Sequence, residues 1–125
     1  MMTSWTCLLG MGPGEPALRN ELSCVHNNHY SFLIGTQPER TFFFVFFRVK
    51  KPYSQYTRPR WTDADAEKAA LGVADHPISE SVVFGDIWRR RYRGQIVDIE
   101  EGVLSRWFFG RTVLVGDAAH KVLYC

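Results

Sequence analysis

Near the end of the chain the residues run Gly110-Arg-Thr-Val-Leu-Val-Gly116-Asp117-Ala118-Ala119-His120. The apolar, β-branched run 112–115 predicts a strand buried on both faces, as inside a parallel sheet. Gly116-Asp117 then turns the chain into Ala118-Ala119-His120, which reads as the start of a helix. In α/β sheets, ligands sit just beyond the carboxyl ends of such strands. An aspartate there can accept hydrogen bonds from a ribose hydroxyl, and the helix N-terminus behind it favours phosphate. Aspartate is also a good helix cap, so the residues alone leave ligand binding and self-capping both open for Asp117.

Other candidate chemistries carry less. Gly12-Pro-Gly14-Glu-Pro-Ala17 matches GxGxxA in form, but that fingerprint needs a buried strand before it and a helix after it. Trp5–Leu9 makes a poor strand, and Pro13 and Pro16 remove amide donors that a phosphate would need. His26 and His29 form HxxH without further ligands at suitable spacing, so no metal site is expected. His76, before Pro77, reads as a turn residue. The basic run Arg89-Arg90-Arg91-Tyr92-Arg93 reads as a solvated helix end with one arginine used internally, since a net charge of +2 supplies no wider basic stripe for nucleic acid. GxSxG, GxxxxGK[ST] and HExxH do not occur, which leaves hydrolase and NTPase chemistry without support.

These residues need a scaffold. The chain has 125 residues, 46% of them hydrophobic and 22% charged, a globular composition about the size of one domain. Residues 1–27, with Gly10, Gly12, Pro13, Gly14 and Pro16, read as an irregular segment. Tyr30–Ile34 and Thr41–Val49 predict a hairpin across the loop GTQPER. The second arm places Phe42, Phe44 and Phe46 on one face and Phe43, Val45, Phe47 and Val49 on the other. One face should pack on its own domain, while the other needs helices, a ligand or another domain. Thr62 predicts the cap of a helix running through Leu71 and ending before Pro77. A second helix is expected over about 79–91 and a further strand over Gln95–Ile99. Cys7, Cys24 and Cys125 form no disulfide framework, and no signal peptide or membrane-length run is visible, which suits a reducing, cytoplasmic setting.

Residues Gly110–Lys121 resemble the second FAD-binding motif of class A flavoprotein monooxygenases, in particular the fungal group that oxidises prenylated and terpenoid metabolites. The likeness extends upstream through Ala74-Asp75-His76-Pro77, Phe84-Gly85-Asp86-Ile87-Trp88 with Arg91, Glu100-Glu101-Gly102-Val103 and Trp107. The resemblance implies that Asp117 holds the FAD ribose, that Gly116 and Ala118 let the backbone approach the pyrophosphate, and that the strands from Tyr30 to Val49 belong to a substrate-domain sheet covering the flavin. It makes Tyr30 the one aromatic acid–base candidate, against the reading of an ordinary packed core tyrosine. It implies NAD(P)H, dioxygen and a small organic substrate as reactants, and hydroxylation or epoxidation in secondary metabolism as the outcome. The family's N-terminal βαβ unit and the glycine-rich segment after the motif have no counterpart in the sequence, so the alternative is an inactive remnant or accessory fragment of such an enzyme, one that does not retain FAD alone. The fold expected is α/β (α+β): a mixed substrate-domain sheet with covering helices over 28–109, and one terminal strand of a Rossmann-like FAD-binding fold within 110–125.

Overall fold

The alternating apolar pattern from Tyr30 onward folds as expected. In the computed structural model, which describes residues 1–122, β3 (Tyr30–Thr36) and β4 (Arg40–Ser54) form a hairpin turned by Gln37-Pro38-Glu39. β2 (Leu22–His26) pairs with the free side of β3, and β1 (Met2–Pro13) with the free side of β4. β5 (Arg93–Val103) lies along β1, and the two-residue β8 (His120–Lys121) closes the order β2-β3-β4-β1-β5-β8. The minor strands β6 (Phe108–Phe109) and β7 (Thr112–Val113) pair only with each other.

Two expectations change here. Residues 1–27 are not irregular: β1 is a twelve-residue strand near the middle of the sheet. Its glycines looked like breakers, yet Gly10 faces Phe43 on one neighbour and Gly94 on the other. A Cβ on Gly10 would stand 2.6 Å from the Phe43 ring, and one on Gly94 would stand 2.5 Å from Trp88. At Gly10 and Gly94 aromatic rings press onto bare backbone, while Gly12 lies against the backbone of Arg90 and Arg91. The sheet is also antiparallel throughout rather than mixed. The connection from β4 to β5 carries both helices and returns in the β4 direction, but β1 is inserted between those two strands, so no parallel pair forms.

Helix α1 (Asp63–Gly72) begins where Thr62 and Asp65 cap each other: Asp65 N donates to Thr62 Oγ1 at 3.3 Å, and Thr62 N donates to Asp65 Oδ2 at 2.9 Å. The Thr62 amide, and next the Thr62 hydroxyl, which donates to the same Oδ2 at 2.9 Å, hold the Asp65 carboxyl below the usual carboxylate range. Its small buried residues Ala66 and Ala70 let it lie close on the sheet. Helix α2 (Phe84–Arg89) is shorter than the expected 79–91. Ser79 Oγ accepts from the amides of Ser81 and Val82, which fixes a turn where helix was anticipated. Leu8, Phe32, Ile34, Phe43 and Val45 meet Ala66, Ala70, Val73, Val82, Phe84, Ile87 and Trp88 in one core. Phe84 bridges Phe32 and Phe43, with ring centroids 5.3 and 5.5 Å away. No described helix is long and apolar enough to cross a membrane.

Candidate functional site

Two surfaces remain once the core is accounted for. The first is the face of the sheet opposite the helices. The strand registers put Trp5, Leu9 and Met11 of β1, Leu33 of β3, Phe42, Phe44 and Phe46 of β4, and Val97 and Ile99 of β5 on that face together. All nine are half-buried, shielded by one another, and none belongs to the core under the helices. A cleft of about 620 Å³ is lined by Leu9, Met11, Phe42 and Phe44 of this face, and also by Asp63 and Ala66 of α1 and Trp88 of α2 on the helix side. Such a concave, mostly apolar surface with a few polar groups suits an aromatic or hydrocarbon ligand.

The second surface is the segment after β5. Trp107 stacks on His120 with centroids 5.0 Å apart, and its indole N–H donates to the Leu104 carbonyl at 2.8 Å. Leu114 N donates to Trp107 O at 2.8 Å, and Leu104 N to Ala119 O at 2.9 Å. This small self-bonded unit presents a single 3-10 turn, Gly116–Ala118, with Gly116 at a φ of 62°. A Cβ on Gly116 would meet nothing within 4 Å. Asp117 is exposed, and its carboxylate makes no hydrogen bond or ion pair among the described residues. The Asp117 carboxylate does not cap the turn that it sits in. The strand expected over 112–115 is reduced to Thr112–Val113, which pairs antiparallel with β6. Val113 and Val115 are 66% and 75% exposed. A strand of this composition stays buried only between parallel neighbours, and none lies beside it among the described residues.

The other sequence candidates resolve individually. Tyr30 sits on the helix side of the sheet, edge-on to Phe32 and His76, and its hydroxyl lies 3.2 Å from His76 Nδ1. His76 in turn stacks on Phe32 at 4.6 Å, so this turn residue belongs to the aromatic layer. Tyr30 is therefore turned away from the bare face. Arg89 pairs with Asp86 and Arg90 with Glu15, while Arg91 is the arginine used internally. Its guanidinium lies 3.7 Å from the Trp88 ring centroid and donates to Glu67 at 3.2 Å, and Glu67 also accepts from Trp88 Nε1 at 3.0 Å. Among the described residues no cluster of metal-ligating side chains occurs; Cys125 lies outside them.

Two groupings were not anticipated. Asp98 accepts from the Tyr53 hydroxyl at 2.7 Å and from Trp61 Nε1 at 2.8 Å, clipping the connection after β4 onto β5. Burial, and secondarily the Asp98 carboxylate, push the Tyr53 hydroxyl pKa well above its ordinary value. Cys24, His26 and Ser31 are linked in series across β2 and β3. The spacing Cys24-Val25-His26 carries that signal, because residues two apart on a strand share a face.

No family model matches the chain. Individual relatives do. Over 98% of its length the chain is 38% identical to FAD-dependent monooxygenase DEP2 of Alternaria brassicicola and 36% identical to the protein of the same name in Fusarium langsethiae. It is homologous to fungal FAD-dependent monooxygenases. A third relative, FAD-dependent monooxygenase spyC of Aspergillus fumigatus, is 32% identical, also over 98% of the chain. The chain spans about a quarter of these monooxygenases, 24%, 24% and 26% of their respective lengths.

Proposed function

We propose that this chain contributes the sheet that roofs the flavin and substrate, and the loop that holds the FAD ribose, in an FAD-dependent monooxygenase. The observation that carries the reading is the bare aromatic face, found in a chain homologous to FAD-dependent monooxygenases along nearly its whole length. Phe42, Phe44, Leu9 and Met11 would bind and orient a small organic substrate and keep water out of the site. A terpenoid or meroterpenoid of secondary metabolism fits such a wall, and hydroxylation or epoxidation is the reaction expected. Bound FAD, reduced by NAD(P)H, supplies the activation of dioxygen. Asp117 would accept hydrogen bonds from the ribose hydroxyls, while Gly116 and Ala118 leave the backbone open to the pyrophosphate. Residues 112–115 would add a strand to the parallel, Rossmann-like sheet of the FAD-binding part, a role supported by the unprotected Val113 and Val115. The boundary between that part and the roofing sheet falls near residue 109. The free thiol of Cys24 suits the reducing cytoplasm. We assign Tyr30 to packing and not to acid–base work, a reading supported by its place beside His76 on the covered side of the sheet.

The test is a chimera in which this chain replaces the matching quarter of the Alternaria brassicicola relative. Visible flavin absorbance and NAD(P)H oxidation are expected. Asp117→Ala should then weaken FAD retention by about 1.5–3 kcal/mol, the range for hydrogen bonds to a charged group. Unchanged occupancy in that variant overturns the assignment of Asp117.

A further inference from the structure

The strand pair β2–β3 carries three polar side chains in series at the edge of the sheet. Cys24 Sγ lies 3.4 Å from His26 Nε2, and His26 Nδ1 lies 3.4 Å from Ser31 Oγ. The arrangement follows from the backbone. Cys24 and His26 alternate with Val25 and so share a face of β2, and Ser31 is the residue directly opposite His26 on β3. Val25 points to the helix side, where it packs against the core. Cys24 and His26 are both exposed, whereas Cys7, the other described cysteine, is buried. The three groups touch neither the aromatic layer under the helices nor the segment around Asp117.

From this geometry we infer that Cys24 is a covalent-modification site for soft carbon electrophiles, with His26 as its base. The tautomer that keeps a proton on Nδ1 donates to Ser31 Oγ, and this leaves the Nε2 lone pair to accept from the Cys24 thiol. Nucleophile, base and orienting group thus stand in the order that activates a thiol. The ligand class is an α,β-unsaturated carbonyl. Sγ bonds to the β-carbon, the C=C π bond breaks to an enolate, and the thiol proton passes to Nε2. The imidazolium then returns the proton to the α-carbon. The net change is addition of S–H across the double bond, with no leaving group and no oxidant. Leu33, directly opposite Cys24 and half-buried, gives the electrophile's carbon skeleton an apolar support.

N-ethylmaleimide is the probe. The intact 125-residue chain is pulsed with it at pH 7, quenched and digested with trypsin, and the peptide spanning residues 20–40 is quantified by mass spectrometry. That peptide contains Cys24 and no other cysteine. Labelling is expected to fall about tenfold or more in His26→Gln, a modest share of what a positioned base supplies. In Ser31→Ala it should fall two- to threefold. The same variants are pulsed at pH 10, above the ordinary thiol pKa of about 8.5, where sulfur needs no base. There, His26→Gln should label as fast as the original chain. Equal rates at pH 7 overturn the inference. So does an equal deficit at both pH values, which would mean that His26 governs access to Cys24 and not its proton. All three residues lie at the β2 edge of the sheet, and far-UV circular dichroism checks that each variant stays folded.

Discussion

Phe43 and Phe44 are neighbours in the chain, yet they face different surroundings. Phe43 is fully buried between Phe84 and Trp88, while Phe44 stands half-open beside Leu9 and Met11 on the opposite side of the sheet. The same contrast runs along β1, where Leu8 is buried and Leu9 is not. Both faces are apolar, so residue type does not decide which becomes core. The helices decide it, because α1 and α2 lie over one side only. An aromatic residue is a finished packing element on the first face and an offered surface on the second.

The sharpest way to break that comparison is a pair of truncations. Phe43→Ala should cost about 3–5 kcal/mol in urea unfolding, the range for emptying a packed aromatic site. Phe44→Ala should cost about 1 kcal/mol, since water and its neighbours can fill the gap. Equal losses would mean that the second face is covered after all. Next in size, Gly94→Ala forces the Trp88 ring away and should destabilise by about 1–3 kcal/mol, measured the same way. A neutral result would show that the covered face is less tightly closed than its burial implies.

The helix that closes that face has its own test. Thr62→Ala should remove about 1 kcal/mol by opening the cap of α1. The Asp65 carboxyl is held below its unfolded value, so its contribution is present above about pH 4 and is lost as pH falls through the lower folded value. Asp65→Asn should therefore flatten the acid limb of a stability–pH curve. The smallest effect belongs to Tyr53. Its hydroxyl is held above its unfolded value, so its contribution is intact below about pH 10 and declines as pH rises further. Alkaline melts of Tyr53→Phe should lack that decline.

What the sequence disclosed follows the strength of its periodic signals. The Tyr30–Val49 hairpin, the Thr62 cap and the internal arginine could be read because alternation, capping and stacking chemistry are local. β1 is hard to read because its residues are apolar on both faces and Gly10 makes room for a ring that lies far away in sequence. So is the short α2, because Ser79 competes for backbone amides that a helical pattern would otherwise claim. At the candidate site, Gly116 and Asp117 are legible as residues. The burial of the strand before them is not, because it depends on parallel neighbours that these residues do not provide. Tyr30 is legible as an aromatic residue at a strand start, and only the register shows which face of the sheet it joins.

The central position of β1 also governs the order of events during synthesis. Leu8 must pair with Val45 on one side and Ile96 on the other, so β1 is synthesised long before its second partner exists. Until Ile96 and its neighbours emerge, the β1 edge destined for β5 offers unpaired amides and carbonyls to any strand nearby. Closing so long a loop is entropically slow, and pairings of this kind delay folding more than they weaken the final state. Nascent chains arrested before β5 should therefore bind holdase chaperones more persistently than chains arrested after it.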